Sequence, residues 1–382
     1  MAYDLLSRLR SFIRAEAVLM IAAVAALASC AIYPLTPATA PTYAGYIDLR
    51  TIALLFCLMT VVAGFGRAGA LDRVRTWLMG RTASARRLAL LLINVVFATS
   101  MLVTNDVALI TFVPLALALF MDASPRTVIA VVVSLTVAAN LGSLCTPIGN
   151  PQNIYLVSAY QMDMAAFFRT VAPLGIASYI CCIALVALVP DERLQETTSM
   201  HETTCNARLL ALYGLLFGIC IACVARLIRW EPCCIAVVAA CLAFDRRVFS
   251  NVDYSLLATF VCFFIFVGNL GQAPAVAQLL SSAIAGREIL VSALVSQVIS
   301  NVPAAIMLSG FTDNAQALLV GTNIGGLGTP VASLASLISL RIYAAMPHAQ
   351  TKRYLLWFVI VNVSLLAVLL GCSLVVAAPY IL

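Results

Sequence analysis

The sequence has 382 residues, of which 63% are hydrophobic and only 10% are charged. Soluble domains carry about 25% charged residues. The composition therefore excludes a mainly soluble protein and indicates an all-α polytopic membrane protein. The net charge of +6 does not indicate nucleic-acid binding, because Arg and Lys in a membrane protein mark its cytoplasmic loops.

Apolar stretches that could cross a bilayer follow one another along the chain. A spanning helix needs about 20 apolar residues. The first stretch follows a basic segment, as in a signal peptide, but no convincing small-residue cleavage pattern comes after it, so we expect a retained span. Two stretches, 126–160 and 313–345, are long and interrupted. The candidate spans are 16–35, 48–66, 126–160, 168–189, 207–227, 232–245, 254–271, 313–345 and 354–379.

The basic residues predict which side of the membrane each loop faces. Arginines before residue 15, six arginines within 67–87, and the pairs at 246–247 and 352–353 all indicate cytoplasmic segments. Nine crossings satisfy these constraints if 88–120 and 289–311 each enter and leave on one side. The N-terminus is then cytoplasmic and the C-terminus periplasmic, in the inner membrane. The basic segment 69–87 is predicted to lie at the interface.

Three parts of the sequence recur in the same order. Residues 48–70 match 253–275 at an offset of 205, 104–105 match 300–301 at 196, and 140–154 match 323–337 at 183. Shrinking offsets require only shorter loops, so the pattern indicates an internal duplication. The predicted topology inverts the second copy. We therefore expect a first inverted repeat over 1–190, a connecting loop and linking helix over 191–231, and a second inverted repeat over 232–382.

Each predicted repeat contains a broken helix. Residues 143–151 hold prolines and a glycine, and 326–333 hold glycines and a proline. Proline removes a backbone donor and clashes with the preceding turn. In a bilayer, unwound chain survives only inside protein or beside a cavity, where its carbonyls can hold a cation and its half-helix N-termini an anion.

Each repeat also contains a polar turn at membrane depth. Thr104, Asn105 and Asp106 lie at one turn, and Ser300 and Asn301 at the other, near 300–303. Short polar side chains can cap the backbone groups that a turn leaves unpaired. If the turns enter from opposite faces, their asparagines meet near the midplane, where an amide can bind an anion or a cation.

Asp106 is the one acid at these turns, and two interpretations of it stay open. An ionisable residue inside a membrane indicates a function by default, here as a Na⁺ ligand or a proton carrier. It could also cap the following half-helix at its positive end.

At these motifs the chain resembles the ion transporter superfamily, which includes divalent anion/sodium symporters, citrate transporters and arsenite permeases. In the symporters, Ser-Asn-Thr motifs mark two re-entrant hairpin tips that face unwound segments. Here 104–106 and 300–302 take the tip positions, and 149–153 and 332–336 the unwound ones. The third tip residue differs in both halves, and the second unwound segment lacks the prolines. Asn-Asp at the first tip, Asn-x-Pro at the second and residues 321–337 look more like the arsenite permeases, whereas the first unwound segment is closer to other anion permeases. The resemblance implies a homodimer and elevator-like movement.

Motifs and resemblance together predict two overlapping sets of site residues. The predicted substrate-binding residues are Asn105, Thr146, Asn150, Ser300, Asn301, Thr329 and Ser333. The predicted ion-coupling residues are Thr104, Asn105, Asp106, Cys145, Gly149, Asn150, Ser300, Asn301, Gly328 and Ala332, with Na⁺ placed at Thr104, Asn105 and Gly149.

The sequence thus predicts a secondary active transporter of a small anion or oxyanion, coupled to Na⁺ or H⁺. Arsenite or antimonite efflux is the alternative within transport, and an anion channel the alternative outside it. No phosphate-binding lysine motif and no catalytic triad is present, so we expect neither ATP binding nor an enzyme, and no cofactor beyond the coupling ion. The thirteen cysteines lie mostly in apolar runs, where cysteine usually acts as a small hydrophobe, so we expect no metal or disulfide framework.

Overall fold

The computed structural model describes residues 17–31, 33–36, 39–70, 84–194 and 206–381, and this part of the chain is almost entirely helical. One isolated antiparallel bridge, between Ser84 and Arg193, is its only β-type pairing. The predicted interfacial segment 69–87 lies mostly outside the described residues, as does the basic N-terminal segment.

Seventeen α-helices form the described part of the chain, and short 3₁₀ turns interrupt them at three places. The helices are α1 (Ala17–Ser29), α2 (Ala40–Tyr46), α3 (Leu49–Arg67), α4 (Ala85–Leu102), α5 (Asn105–Leu119), α6 (Pro125–Ser143), α7 (Pro151–Ala159), α8 (Met164–Leu185), α9 (Ala207–Val224), α10 (Trp230–Phe244), α11 (Tyr254–Gly271), α12 (Pro274–Ile284), α13 (Glu288–Ile299), α14 (Asn301–Ser309), α15 (Ala315–Ile324), α16 (Leu334–Ala344) and α17 (Thr351–Ile381).

Seven described helices are long and apolar enough to cross a membrane: α3, α4, α6, α8, α9, α11 and α17. The pair α12 and α13, bent by 111°, would add an eighth if it formed one span. The predicted spans at 16–35 and 232–245 contain shorter helices, α1 and α10. The prediction of nine crossings counts these shorter helices and the broken ones, and it stays a prediction.

The chain leaves the helical conformation at all four places where the sequence contains polar or proline-rich motifs. Two residues separate α4 from α5, and Ser300 alone separates α13 from α14. Residues 144–150 separate α6 from α7, and 325–333 separate α15 from α16, with a 3₁₀ turn at Pro330–Ala332. Whether 88–120 and 289–311 return to the side from which they enter remains a prediction.

Helix starts repeat between the two halves. The Asp48 carboxylate caps α3 by accepting from the Thr51 backbone N–H at 3.1 Å, and Asp253 caps α11 by accepting from that of Leu256 at 2.9 Å. These aspartates are the pair related by the offset of 205. The repeated sequence therefore starts two equivalent helices in the same way.

Close helix approach repeats as well. A Cβ on Gly142 would lie 2.4 Å from Ser100 Oγ, and one on Gly325 would lie 2.8 Å from Ser296 Oγ. Both glycines also face backbone atoms of the neighbouring helix. Glycine is therefore required where α6 crosses α4 and where α15 crosses α13.

Helices of one half pack against the broken helix of the other. The helix after the first polar turn, α5, packs on α16, which follows the second break. In the equivalent way α14 packs on α7, which follows the first break. At the centre, 89% of the spanning window of α6 is buried. The two breaks therefore lie together inside the protein.

Candidate functional site: two helix breaks joined by asparagines

Asn140, near the end of α6, connects the first polar turn to the second break. Its side-chain oxygen accepts from Asn105 Nδ2 at 3.0 Å and from Ser333 Oγ at 3.0 Å. Its Nδ2 donates to Ser336 Oγ at 3.2 Å. All four residues are at least 95% buried, so these bonds form where an unpaired amide would be costly.

Asn323, near the end of α15, makes the corresponding connection to the first break. Its Nδ2 donates to Asn153 Oδ1 at 2.7 Å, and its Oδ1 accepts from Asn150 Nδ2 at 3.4 Å. Asn153 in turn donates to the Thr146 carbonyl at 3.0 Å, within the unwound segment.

These two sets of contacts are reciprocal. The offset of 183 that relates Asn140 to Asn323 also relates Asn150 to Ser333 and Asn153 to Ser336. Each half therefore contributes an asparagine that bonds the corresponding two residues of the other half. Reciprocal contacts of this kind are what a two-fold relation between two surfaces produces.

A second repeated contact holds each break against the helix that precedes the polar turn. The Thr146 hydroxyl donates to the Met101 carbonyl, and the Thr329 hydroxyl donates to that of Gln297 at 3.0 Å. Each carbonyl belongs to the residue four positions before the turn asparagine. The Gln297 amide also donates to the carbonyl of Leu327 at 2.9 Å. The second break therefore has more of its carbonyls satisfied.

The turn asparagines each accept a hydrogen bond within the first turn of the helix that they begin. Asn105 Oδ1 accepts from the Asp106 backbone N–H, and Asn301 Oδ1 from that of Val302, both at 3.0 Å. The residues before them, Thr104 and Ser300, make no side-chain cap. The two N-cap positions therefore have no side-chain cap, and each asparagine instead satisfies the N–H of the residue that follows it.

The second turn lies against the second break. Ser300 has a φ of +76°, a backbone conformation that L-residues rarely adopt, and its hydroxyl donates to the Ala332 carbonyl at 3.4 Å. A Cβ on Gly326 would lie 3.0 Å from Asn301 Nδ2. Gly328, with φ of +104°, faces the Gln297 side chain. Of the predicted residues in the second half, Ser300 and Ala332 are therefore in direct contact, whereas Gly328 contacts Gln297, which was not predicted.

The predicted cation site of the first half is less well connected. Within the described residues, no side-chain hydrogen bond joins Thr104, Asp106, Cys145 and Gly149 to one another. Cys145, in the first break, donates to the Leu141 carbonyl of α6 at 3.7 Å, and the Gly149 backbone N–H donates to the Thr146 carbonyl at 3.4 Å.

Several buried polar atoms at the first break and turn have no hydrogen-bond partner in the described part of the chain. They are Asp106 Oδ1, Asn150 Oδ1 and both amide atoms of Gln152. Gln152 is fully buried in the first turn of α7. Because unsatisfied buried groups cost free energy, a concentration of them is the pattern expected of a site that a ligand completes.

Sequence reasoning did not assign a role to Asn140, Gln152, Asn153, Asn323 or Ser336. The signal that could have found the asparagines is their recurrence at one offset inside apolar helices. Gln152 lacked that signal, because the offset of 183 places Ala335 at its equivalent.

Comparison with known proteins gives a consistent family. The model of the citrate transporter family matches residues 10–319. Inner membrane protein YbiR of Escherichia coli is 33% identical over 333 residues, which cover 85% of this chain and 89% of that protein. An uncharacterized transporter of Methanocaldococcus jannaschii is 28% identical over 319 residues, covering 81% and 85%. Silicon efflux transporter LSI3 of rice is 31% identical over 133 residues, covering 34% and 27%.

Proposed function

Because the chain belongs to the citrate transporter family, we propose that it moves a small anion or oxyanion across the inner membrane as a secondary active transporter coupled to Na⁺ or H⁺. It is a multi-pass membrane transporter and not an enzyme. The observation that supports the finer proposal is the reciprocal asparagine network that joins the two helix breaks.

The chemical groups around the breaks suit both the proposed anionic substrate and the proposed coupling ion. Helices α5, α7, α14 and α16 all begin at the turns or breaks, and helix N-termini favour negative charge. Amide nitrogens such as those of Asn105, Gln152 and Asn301 can donate to oxyanion oxygens. The unwound carbonyls and the Asp106 carboxylate are hard oxygen ligands of the kind that a cation prefers.

The same network supports an elevator-like movement. Side-chain bonds across the two halves tie both breaks into one unit, so a substrate held there would move with the whole unit. Helices α3 and α11 pack on α7 and α14, and Ser158 donates to Asp48 Oδ2 at 3.0 Å across one of these contacts. We propose that the unit slides against helices such as α3 and α11, in a homodimer whose substrate is a small anion.

Transport by the protein reconstituted in lipid vesicles tests this proposal. We expect accumulation of one member of a panel of citrate, other di- and tricarboxylates, sulfate and arsenite, driven by a Na⁺ or a pH gradient. Asn140→Ala should reduce uptake at least tenfold, because it removes three buried hydrogen bonds worth about 1 kcal/mol each, two of which join the two halves.

The matched control is Asn362→Ala. Asn362 is also fully buried in a spanning helix, but its Nδ2 bonds only the Phe358 carbonyl. Normal uptake by Asn140→Ala would show that transport does not depend on the asparagine network. Gradient-independent flux through the wild-type protein would instead favour the anion channel.

A second candidate is efflux of a small uncharged oxyacid, such as arsenite or antimonite at neutral pH. The side chains that the hydrogen bonds bring together at the breaks are amides and hydroxyls, which suit hydroxyl ligands without charge compensation. The similarity to a silicon efflux transporter favours the same class. Uptake of arsenite into inside-out vesicles, with no uptake of carboxylates or sulfate, would select this candidate.

A further inference from the structure

Four cysteines from three helices meet at a place that includes none of the residues of the asparagine network. Cys233 Sγ, in the first turn of α10, lies 4.0 Å from Cys220 Sγ on α9. The thiols of Cys223, also on α9, and Cys57, on α3, lie beside Cys233 as well. All four side chains are at most 1% exposed.

The arrangement suits pairing of two thiols better than a metal. Among the described residues, no group of three or more cysteine, histidine or acidic side chains is placed to hold a metal ion. A disulfide needs a sulfur–sulfur distance of about 2.05 Å. The sulfurs of Cys220 and Cys233, 4.0 Å apart, must therefore approach by about 2 Å to form the bond.

The predicted topology places this pair near the outer surface. The cytoplasmic arginines after α10 put the start of that helix outside, together with the end of α9. Cys220 lies one turn before the end of α9, Cys233 lies in the first turn of α10, and the connection at 226–229 is exposed. Thiols on the outer side of the membrane meet an oxidising compartment, where disulfides form and persist.

We propose that Cys220 and Cys233 form a disulfide that links α9 covalently to α10. The two thiols lose two protons and two electrons as the sulfur–sulfur bond forms. An oxidised dithiol protein of the outer compartment takes up both through a mixed disulfide and leaves as the dithiol. Because the thiols are buried in the folded chain, this exchange takes place before α3 packs over them. The proposal revises the expectation that these cysteines act only as small hydrophobes.

Peptide mapping of the protein purified without reductant tests the disulfide. Free thiols are alkylated in denaturant, and trypsin then cleaves after Arg208, Arg226, Arg229 and Arg246. Cys220 falls in 209–226 and Cys233 in 230–246, so the bond would join two separate peptides. We expect the joined pair before reduction and its two components afterwards. Fully alkylated, unjoined peptides from the wild-type protein would overturn the proposal without reference to any variant.

Single serine variants identify the sulfurs. Cys220→Ser and Cys233→Ser should lose the joined peptides. The matched controls Cys223→Ser and Cys234→Ser replace neighbouring cysteines in the same two peptides and should keep them. A joined pair that persists in Cys233→Ser, or that disappears in Cys223→Ser, would overturn the assignment to Cys220 and Cys233.

Discussion

At the scale of single residues, Asp106 is the clearest departure from the repeat. Its counterpart in the second half is Val302, and its Oδ1 is buried without a partner in the described residues. Asn105 Oδ1 already accepts from the Asp106 backbone N–H at the start of α5. Because an ionisable group inside a membrane indicates a function by default, we propose a coupling role for Asp106.

Asp106→Asn tests coupling, since it keeps the size and one acceptor oxygen but can neither titrate nor carry charge. If Asp106 carries the proton, transport should lose its pH dependence and stall while substrate binding persists. If it ligates Na⁺, the apparent Na⁺ affinity should fall at least tenfold with little change in the pH profile. The measurements are uptake and binding over a range of pH and Na⁺ concentration.

The control for this variant is Asp313→Asn, which changes an exposed acid before α15. Wild-type dependence on both pH and Na⁺ in Asp106→Asn would contradict a coupling role and leave Asp106 as a helix-end residue.

Some of the residues that form the candidate site could be predicted from the sequence. Asparagines, threonines and serines at proline-rich breaks stand out because apolar sequence surrounds them, and Asn105, Asn150 and Ser333 do enter one network or its counterpart. Their partners were not predictable, because a hydrogen bond such as that between Asn140 and Ser336 depends on how two distant helices pack.

At the scale of elements, the loop after α8 ties the starts of two helices together. Glu192 accepts from the Ser124 backbone N–H at 3.0 Å, from the Ser124 hydroxyl at 2.6 Å and from the Thr127 hydroxyl at 3.0 Å, at the start of α6. Its backbone carbonyl accepts from the Ala85 N–H at 2.8 Å, at the start of α4. One glutamate therefore links the start of α4 to the start of α6, the helices that lead to the first polar turn and to the first break.

These hydrogen bonds make the stability of the element depend on pH. The bonds from Ser124, and then that from Thr127, favour the carboxylate and lower the pKa of Glu192 below its ordinary value of 4.5. The stabilisation is complete above the ordinary pKa and is lost as pH falls through the lowered value. Glu192→Gln should therefore lower the unfolding midpoint by a few degrees at about pH 7, and the difference should shrink below about pH 4.5.

Thermal unfolding of the detergent-purified protein at both pH values measures this effect. Asp122→Asn, an exposed change in the loop before α6, should leave the midpoint unchanged. An equal difference between wild type and Glu192→Gln at both pH values would count against ionisation as the cause.

The positions of the breaks, more than the shapes of the elements, could be predicted from sequence. Proline and glycine interrupt hydrogen bonding locally, so 144–150 and 325–333 were visible. The 111° bend between α12 and α13 was not, because a change in direction at Ala285 and Gly286 depends on what each helix packs against.

At the scale of the whole molecule, the contacts agree with the sides assigned from charge. Arg67 forms a two-point ion pair with Asp245 at 2.8 Å, and both were assigned to the cytoplasmic side. The Tyr160 hydroxyl donates to the Thr312 carbonyl at 2.7 Å, and counting the nine predicted crossings puts both residues on the outer side. Topology from charge and contacts from packing are independent, so their agreement supports the inverted arrangement.

Reporter fusions test this topology directly. An enzyme that is active only outside the cytoplasm should give signal when fused after residue 382 or within 226–229, and none within 191–206. A fluorescent protein that folds only in the cytoplasm should give the opposite pattern and serves as the control for expression. If fusions within 191–206 and within 226–229 report the same side, α9 does not cross the membrane. The second repeat would then not be inverted relative to the first.

Family and fold class were predictable because composition, repeat and motifs all act at the scale of the whole chain. The family match confirms the resemblance. The substrate and the coupling ion could not be predicted, because they depend on small differences in the positions and the protonation of similar amide and hydroxyl groups.

The reciprocal network also has unequal chemistry on its two sides. Where the first break presents Asn150 and Asn153, the second presents Ser333 and Ser336. A perfectly symmetric pocket would accept a lopsided molecule in two equivalent poses, head first or tail first. Amides on one side and hydroxyls on the other would remove that degeneracy. We therefore expect a ligand that binds between the breaks to take a single orientation, with its better hydrogen-bonding end toward the amides.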